Sequence, residues 1–405
     1  MIRQSLKRLR NRPEILLFLM AGAVPLSFAT WQALLNNFAI ERAAFSGAEI
    51  GILQSLREVP GFLAFAVVFL LYILREQHIA LVSLTLLGIG TAVTGFFPTV
   101  LGLYLTTVFM SVGYHYYETI QTSLSLQWVD KKNAPEVLGR IIAVGAFTSI
   151  LTFGAIWLAF DFAQLDYVIV YLIAGGATLG IVTMCSLFFP TFPTKVKQVR
   201  HMVLRKRYWL YYGLIFLSGA RRQIFIVFAG FLMVEKFGYS VAAISTLFLI
   251  NATLNMLFAA RIGRLISVVG ERTALIFEYV GLIGVFIAYA FVENSQIAAG
   301  LYIVDHFFFA LAIAIKTYFQ KIADPADIAS SAGVSFTINH IAAVVLPAIL
   351  GVLWLNSPSL VFLVGAGLAG LSLFLSLNIP KQPAPGNEVN FGRWGDLVEP
   401  AQSRS

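Results

Sequence analysis

The feature that most constrains this chain of 405 residues is the recurrence of apolar runs of about 18 residues or more along its whole length. Runs of that length cross a bilayer as helices, because lipid offers no partner to an exposed backbone amide or carbonyl. Such segments lie near 14–40, 50–74, 78–97, 99–128, 136–161, 167–190, 208–234, 240–262, 272–292, 296–323, 328–355 and 358–380. Only 12% of the residues are charged, too few to cover the surface of a water-soluble fold of this size. The expected class is an all-α membrane protein of about 12 transmembrane helices. The first apolar run follows a basic start at Met1–Pro13; it is too long for a signal-peptide core and lacks a small-residue cleavage site, so it reads as an uncleaved first helix. Cys185 is the single cysteine and sits inside an apolar run, which excludes a disulfide or a cysteine-based metal site.

The net charge of +8 is a topology signal. Arg3, Lys7, Arg8, Arg10 and Arg12 precede the first helix, and Arg75, Lys131, Lys132, Arg140, Arg261, Arg264, Arg272 and Lys321 flank connections on the same side. Lys195, Lys197, Arg200, Arg205, Lys206 and Arg207 crowd the middle connection, and Lys381, Arg393 and Arg404 the tail. Only Arg42 and Lys236 fall in loops on the other side. The positive-inside rule then puts both termini in the cytoplasm of a cell membrane, read as a bacterial inner membrane. With the charge so explained, nucleic acid is excluded as a partner.

The basic connection at 191–207 divides the chain. It separates a six-helix bundle at 14–190 from a second at 208–380, with a cytoplasmic N-terminus at 1–13 and a cytoplasmic tail at 381–405 expected to be mobile. One constant offset carries 130–139 onto 324–333, and also Ala48 onto Ala242, Leu71 onto Leu265 and Gly90 onto Gly284. Repeated halves imply a central cavity with its binding site near the bilayer midplane.

After the eighth segment stands Gly263-Arg264-Leu265-Ile266-Ser267-Val268-Val269-Gly270-Glu271-Arg272. It resembles the loop motif of the major facilitator superfamily, Gly-x-Leu-Ala-Asp-Arg-x-Gly-Arg-Lys: Gly263, Leu265 and Gly270 match, and Arg272 is basic where the family has Lys. Ser267 stands in place of the motif's acid. The equivalent stretch of the first half, 69–78, keeps only Leu71. The resemblance covers 14–380 and implies two pseudo-symmetric six-helix bundles, with helices 1, 4, 7 and 10 lining the cavity and a monomer as the working unit. Two marks of the drug/proton antiporters are missing: Phe109 stands where they carry Arg before Gly113, and 141–154 contains no proline.

An ionisable side chain at mid-membrane costs about 2.5–3.5 kcal/mol on insertion scales, so each needs a partner or a wet cavity. Arg57, Glu58, Glu118, Arg221, Arg222, Glu278, Asp305 and Lys316 are such groups, with His115, His306 and His340 able to titrate near neutrality. Tyr114, Glu118, Gln121 and Ser125 fall within about 60° on helix 4, with His115 at the edge and Tyr117 nearby. This stripe reads either as substrate and proton binding or as a structural network. Arg221 and Arg222 are adjacent and point about 100° apart, so one pairs with an acid such as Glu118 or Asp305 while the other stays available for a carboxylate or phosphate. Asp305 and Lys316 lie about 16 Å apart along helix 10 and need separate partners: Arg57 with Asp305 or Glu58, and Lys316 with Glu278. Asn339 and His340 sit mid-membrane on helix 11, Asn339 as a solute contact and His340 as either a proton-coupling group or a hydrogen-bonded interior residue. Asn36, Asn37, Asn251 and Asn255 read as helix-joining groups, and Gly175 and Gly176 as points of close helix approach. No metal site is expected, because His115 and Glu118 lack an HExxH or cysteine context. No phosphate-cradling loop is present, so no nucleotide cofactor and no enzyme activity are expected.

The composite expectation is a secondary active transporter. It moves a small, anionic or zwitterionic organic solute by alternating access, coupled to a proton or sodium gradient. A polyspecific drug/proton exporter and a non-transporting membrane sensor or assembly factor are the alternatives.

Overall fold

The computed structural model describes residues 9–128, 134–193, 204–324 and 327–391. Arg3, Lys7, Arg8, Lys131, Lys132, Lys195, Lys197, Arg200, Arg393 and Arg404 therefore lie outside the described residues. Every expected segment is helical: α1 (Pro13–Ala43), α2 (Gly47–Phe62), α3 (Val67–Leu70), α4 (Glu76–Thr94), α5 (Val100–Trp128), α6 (Ala134–Trp157), α7 (Tyr167–Phe188), α8 (Trp209–Gln223), α9 (Gly230–Glu235), α10 (Val241–Val269), α11 (Glu271–Phe291), α12 (Ser295–Ala310), α13 (Ile313–Ile322), α14 (Ile328–Asn356) and α15 (Pro358–Ser376). Pro13 and Pro358 open α1 and α15, where a missing amide costs nothing, and the Ser46–Glu49 capping box starts α2.

Among the described residues ten helical spans are long and apolar enough to cross a membrane. Two expected spans fall outside that set for different reasons. The second is broken: Pro60 removes an amide, a 3₁₀ turn at Leu63–Ala66 follows, and α3 ends at Leu70. The fourth, α5, is continuous over 29 residues, but its polar stripe lowers its hydropathy.

The described residues of Met1–Gln198, Val227–Met256 and Val344–Asn356 form one compact unit, and those of Val199–Ile226, Leu257–Ala343 and Ser357–Ser405 a second. In the first, glycines let backbones meet. A methyl group on Gly175 of α7 would overlap the Gly88 carbonyl of α4, whereas one on Gly176 would meet nothing within 4 Å; only the first glycine serves the expected close approach. Gly47 and Gly51 of α2 cross α14 at Pro347 and Gly351, where Ser55 Oγ accepts the Ala348 amide at 3.0 Å. Ser27 and Thr178 share a buried hydrogen bond of 2.7 Å between α1 and α7. Asn37 donates to the Tyr239 carbonyl at 2.7 Å, Asn36 abuts Gly230, and Asn251 is buried while Asn255 is exposed.

The second unit is built on an aromatic core: Tyr208, Tyr211, Tyr279, Tyr318 and Phe319 are all buried, with Tyr211 and Phe319 stacked at 4.1 Å. The tail differs from expectation. Residues 381–391 fold back: Val389 is buried in this core, Tyr318 Oη donates to the Glu388 carbonyl at 2.6 Å, and Asn390 donates its amide to Asn378. The loop motif also differs, since Gly263 and Leu265 lie within α10 and the connection to α11 is the single residue Gly270 at φ 82°. Only glycine adopts that conformation without strain. Leu265 is exposed, and Arg272 sits in the first turn of α11.

Candidate functional site

In the first unit α2 and α5 bring ionisable groups together. Arg57 pairs with its neighbour Glu58, both buried, and its guanidinium lies 5.8 Å from the Trp31 ring of α1. The backbone carbonyl of Arg57 accepts a hydrogen bond from Ser111 of α5, which fixes α2 against α5. One turn further, Glu58 places a carboxylate oxygen within 4.8 Å of a His115 ring nitrogen. His115 Nδ1 is in turn 3.8 Å from Glu118 Oε2, a side chain 48% exposed. Basic and acidic side chains therefore alternate along Arg57, Glu58, His115 and Glu118, from a buried end to an open one. Tyr114 stacks on Phe28 of α1 at 4.0 Å beside this row, and Gln121 is half-buried on the same face. Tyr117, expected to reach solute, is buried at 2% exposure on the opposite flank, and Ser125 is likewise buried.

In the second unit α8 separates the two arginines. Arg221 is fully buried: its Nη2 lies 3.7 Å from Glu278 Oε1 of α11, its guanidinium rests 4.4 Å from the Tyr279 ring, and Nε donates to the Leu217 carbonyl at 3.3 Å. Asp305 of α12, also fully buried, stands within electrostatic reach of both Arg221 and Glu278. Its two carboxylate oxygens have no hydrogen-bond partner among the described residues. Glu278, expected to meet Lys316, instead takes Arg221, whose expected partner is Glu118 or Asp305; Lys316 is exposed on α13, beyond a helix break at 311–312. Stripping one partner from a buried pair costs about 3–5 kcal/mol, which makes this cluster expensive to disturb.

Arg222 takes the other direction and is exposed, within electrostatic reach of His306, itself exposed on α12. Phe225 and Tyr302 are buried with rings 4.7 Å apart, and Phe225 supports the exposed His306 ring at 5.5 Å. The helix changes pitch immediately after the arginines: Ile224–Ala229 is a π-helical stretch, a device that recurs at functional sites because it displaces side chains from their helical register. Beside it α14 crosses so closely that a methyl on Gly219 would overlap the Asn339 amide oxygen. His340 is buried and its Nδ1–H donates to the Phe336 carbonyl at 2.8 Å.

Sequence reasoning did not find the lock at the base of α8. Asp327 is 2% exposed and accepts two hydrogen bonds from Arg205, at 2.5 and 2.9 Å, one from Tyr208 Oη at 3.0 Å and one from Arg207 at 3.3 Å. Burial pushes the Asp327 carboxyl up, but the hydrogen bonds from Arg205 and Tyr208 and the charges of both arginines outweigh it, holding it below the usual carboxylate range. The signal was present as an Asp in the segment aligned by the internal offset; its partners needed three dimensions.

Residues 14–347 match the sequence profile of the Major Facilitator Superfamily. No curated protein matches the chain. Among solved structures, a mutant of the nucleoside transporter NupG is similar with a TM-score of 0.76 at 18% identity, covering 90% of this chain and 99% of that one. A second structure of NupG gives a TM-score of 0.70 at 17% identity, over 90% and 98% of the two chains. A bacterial homologue of the human lysosomal transporter Spinster, inward-facing and occupied, gives 0.69 at 14%, over 90% and 95%.

Proposed function

The chain belongs to the major facilitator superfamily, and from that premise we propose that it moves a small anionic or zwitterionic solute across the membrane by alternating access, coupled to proton movement. The observation that carries this reading is the division of two adjacent mid-span arginines: Arg221 is consumed by buried acids, while Arg222 remains exposed beside His306. An exposed guanidinium at that depth needs water or an anion, and its planar set of donors suits a carboxylate or phosphate. Proton coupling is supported by charge arithmetic. One guanidinium faces two carboxylates in a site with no exposed atom of the three side chains, and an uncompensated buried charge is avoided when one acid carries a proton. The row from Glu58 through His115 to Glu118 supplies a second set of proton-exchanging groups. The bodies that alternate are the bundles at 14–190 and 208–380, with both termini cytoplasmic, one chain as the working unit and a proton rather than sodium as the coupling ion.

A nucleoside-like solute is the second reading. One structural neighbour, NupG, is a nucleoside transporter, and the half-buried Phe28–Tyr114 stack beside Gln121 and Glu118 offers ring faces and hydrogen-bonding groups together.

Purified protein in liposomes distinguishes the readings through a melting-temperature screen of organic anions, zwitterions and neutral nucleosides, run on the wild type and Arg222→Gln. The first reading requires that the stabilising solute carry a carboxylate or phosphate and that Arg222→Gln weaken it about tenfold or more, the scale of one charge-assisted contact. A neutral best ligand whose affinity ignores Arg222→Gln overturns it and favours the second.

A further inference from the structure

The geometry points to a binding site for the phosphate of an anionic phospholipid in the cleft between the first turns of α1 and α6. The two helices pack tightly further along, where a methyl group on Gly22 would meet Val144 and Thr148 at 3.4 Å. Toward their N-terminal ends they leave an open cleft of about 590 Å³, lined by Asn11, Arg12, Glu14, Phe18, Val137 and Arg140 among others.

Its chemistry has two parts. Arg12 and Arg140 both have exposed side chains on the cleft, and a guanidinium presents five donors, so engagement of one edge leaves others for a phosphate. Arg12 is also the cap residue of α1 and makes no side-chain capping bond; the Ile15 amide donates to the Arg12 carbonyl at 3.2 Å, so the first-turn amide of Glu14 is the one that adds to the positive field. The lining carries two guanidiniums and one carboxylate, Glu14, and a phosphodiester adds one negative charge to that set. The second part is apolar: Ile15, Phe18 and Val137 are half-buried on the lining, a surface that matches the first carbons of an acyl chain and that a free phosphate ion cannot use. The cleft lies where α1 enters its apolar span, and a basic pocket between the ends of two spans suits an anionic headgroup. This site does not depend on what the chain transports.

The test uses the full purified chain in detergent, with melting temperature and native mass spectrometry as readouts. The probes are phosphatidylglycerol, phosphatidylcholine and inorganic phosphate. Phosphatidylglycerol is expected to raise the melting temperature and to remain bound, one per chain. Arg12→Gln and Arg140→Gln are each expected to weaken it about fivefold, Arg12→Lys and Arg140→Lys to retain most of the affinity, and Arg264→Gln, elsewhere on the basic surface, to leave it unchanged. Equal retention of phosphatidylcholine, an equal shift from inorganic phosphate, or a loss in Arg264→Gln as large as in Arg12→Gln each overturns the site.

Discussion

Successive residues on a helix point about 100° apart, and at Arg221 and Arg222 that angle separates structure from recognition. Arg221→Gln leaves Glu278 and Asp305 buried without their cation and is expected to lower stability by about 3–5 kcal/mol, seen as a marked fall in melting temperature. Arg222→Gln, at an exposed position, should stay within about 0.5 kcal/mol of the wild type. Equal melting temperatures for the two variants would contradict the division of roles. Asp327 supplies a prediction with a definite sign. Its folded-state pKa lies below that of an unfolded Asp, about 3.9. The network therefore stabilises the fold at every pH above that value, and the contribution disappears as pH falls through the lower, folded-state value. The melting-temperature advantage of the wild type over Asp327→Asn should be constant near neutrality and shrink in acid; an advantage that grows in acid refutes the assignment. At this scale the sequence showed that one arginine had to pair, because adjacent residues cannot share a direction. It could not name Glu278, which lies on another helix at a distance no spacing rule connects to Arg221.

Helices were legible because apolar length is a one-dimensional property; their interruptions were legible only where a residue type announces them. Pro60 and Gly61 precede the break after α2, whereas the π stretch at Ile224–Ala229 and the break at 311–312 contain neither proline nor glycine. The fold-back of 381–391 was hidden for another reason: Pro383, Pro385 and Gly386 are turn formers, and burial of Val389 depends on a pocket supplied by distant helices. Ending the chain at Lys381 removes the acceptor of Tyr318 Oη and the apolar cover of that core, and is expected to destabilise by about 1–3 kcal/mol. The crossing of α2 and α14 yields a sharper contrast. A methyl group at Gly351 would lie 2.5 Å from the Gly47 carbonyl, so Gly351→Ala must push two backbones apart, an overpacking cost of about 1–3 kcal/mol. Gly284→Ala meets nothing within 4 Å and should be neutral or slightly stabilising. Similar melting temperatures for the two alanine variants would show that the crossing is not tight.

For the whole molecule, the decisive property is that its buried charges do not balance within the cluster that holds them. Arg221 answers only one of two acids, and Asp305 and Glu278 are equally dry; on the proposed reading one of them carries a proton, which avoids an uncompensated buried charge. The twelve-segment plan and the family were readable from apolar length, basic asymmetry and a partial loop motif, whereas this imbalance emerged only once three helices were placed side by side. On the proposed reading, solute and proton binding form a linked pair. If the anion that Arg222 attracts binds better to the protonated protein, then protons bind better to the solute-loaded protein by the same factor. The stabilisation by solute should therefore increase as pH is lowered from alkaline to mildly acidic, and solute addition to weakly buffered protein should draw protons from solution. Asp305→Asn fixes a neutral group at that position and should flatten both responses while leaving solute binding itself in place. Solute binding that is indifferent to pH, with no proton uptake in the wild type, would separate transport from the buried acids and leave the cluster a purely structural one.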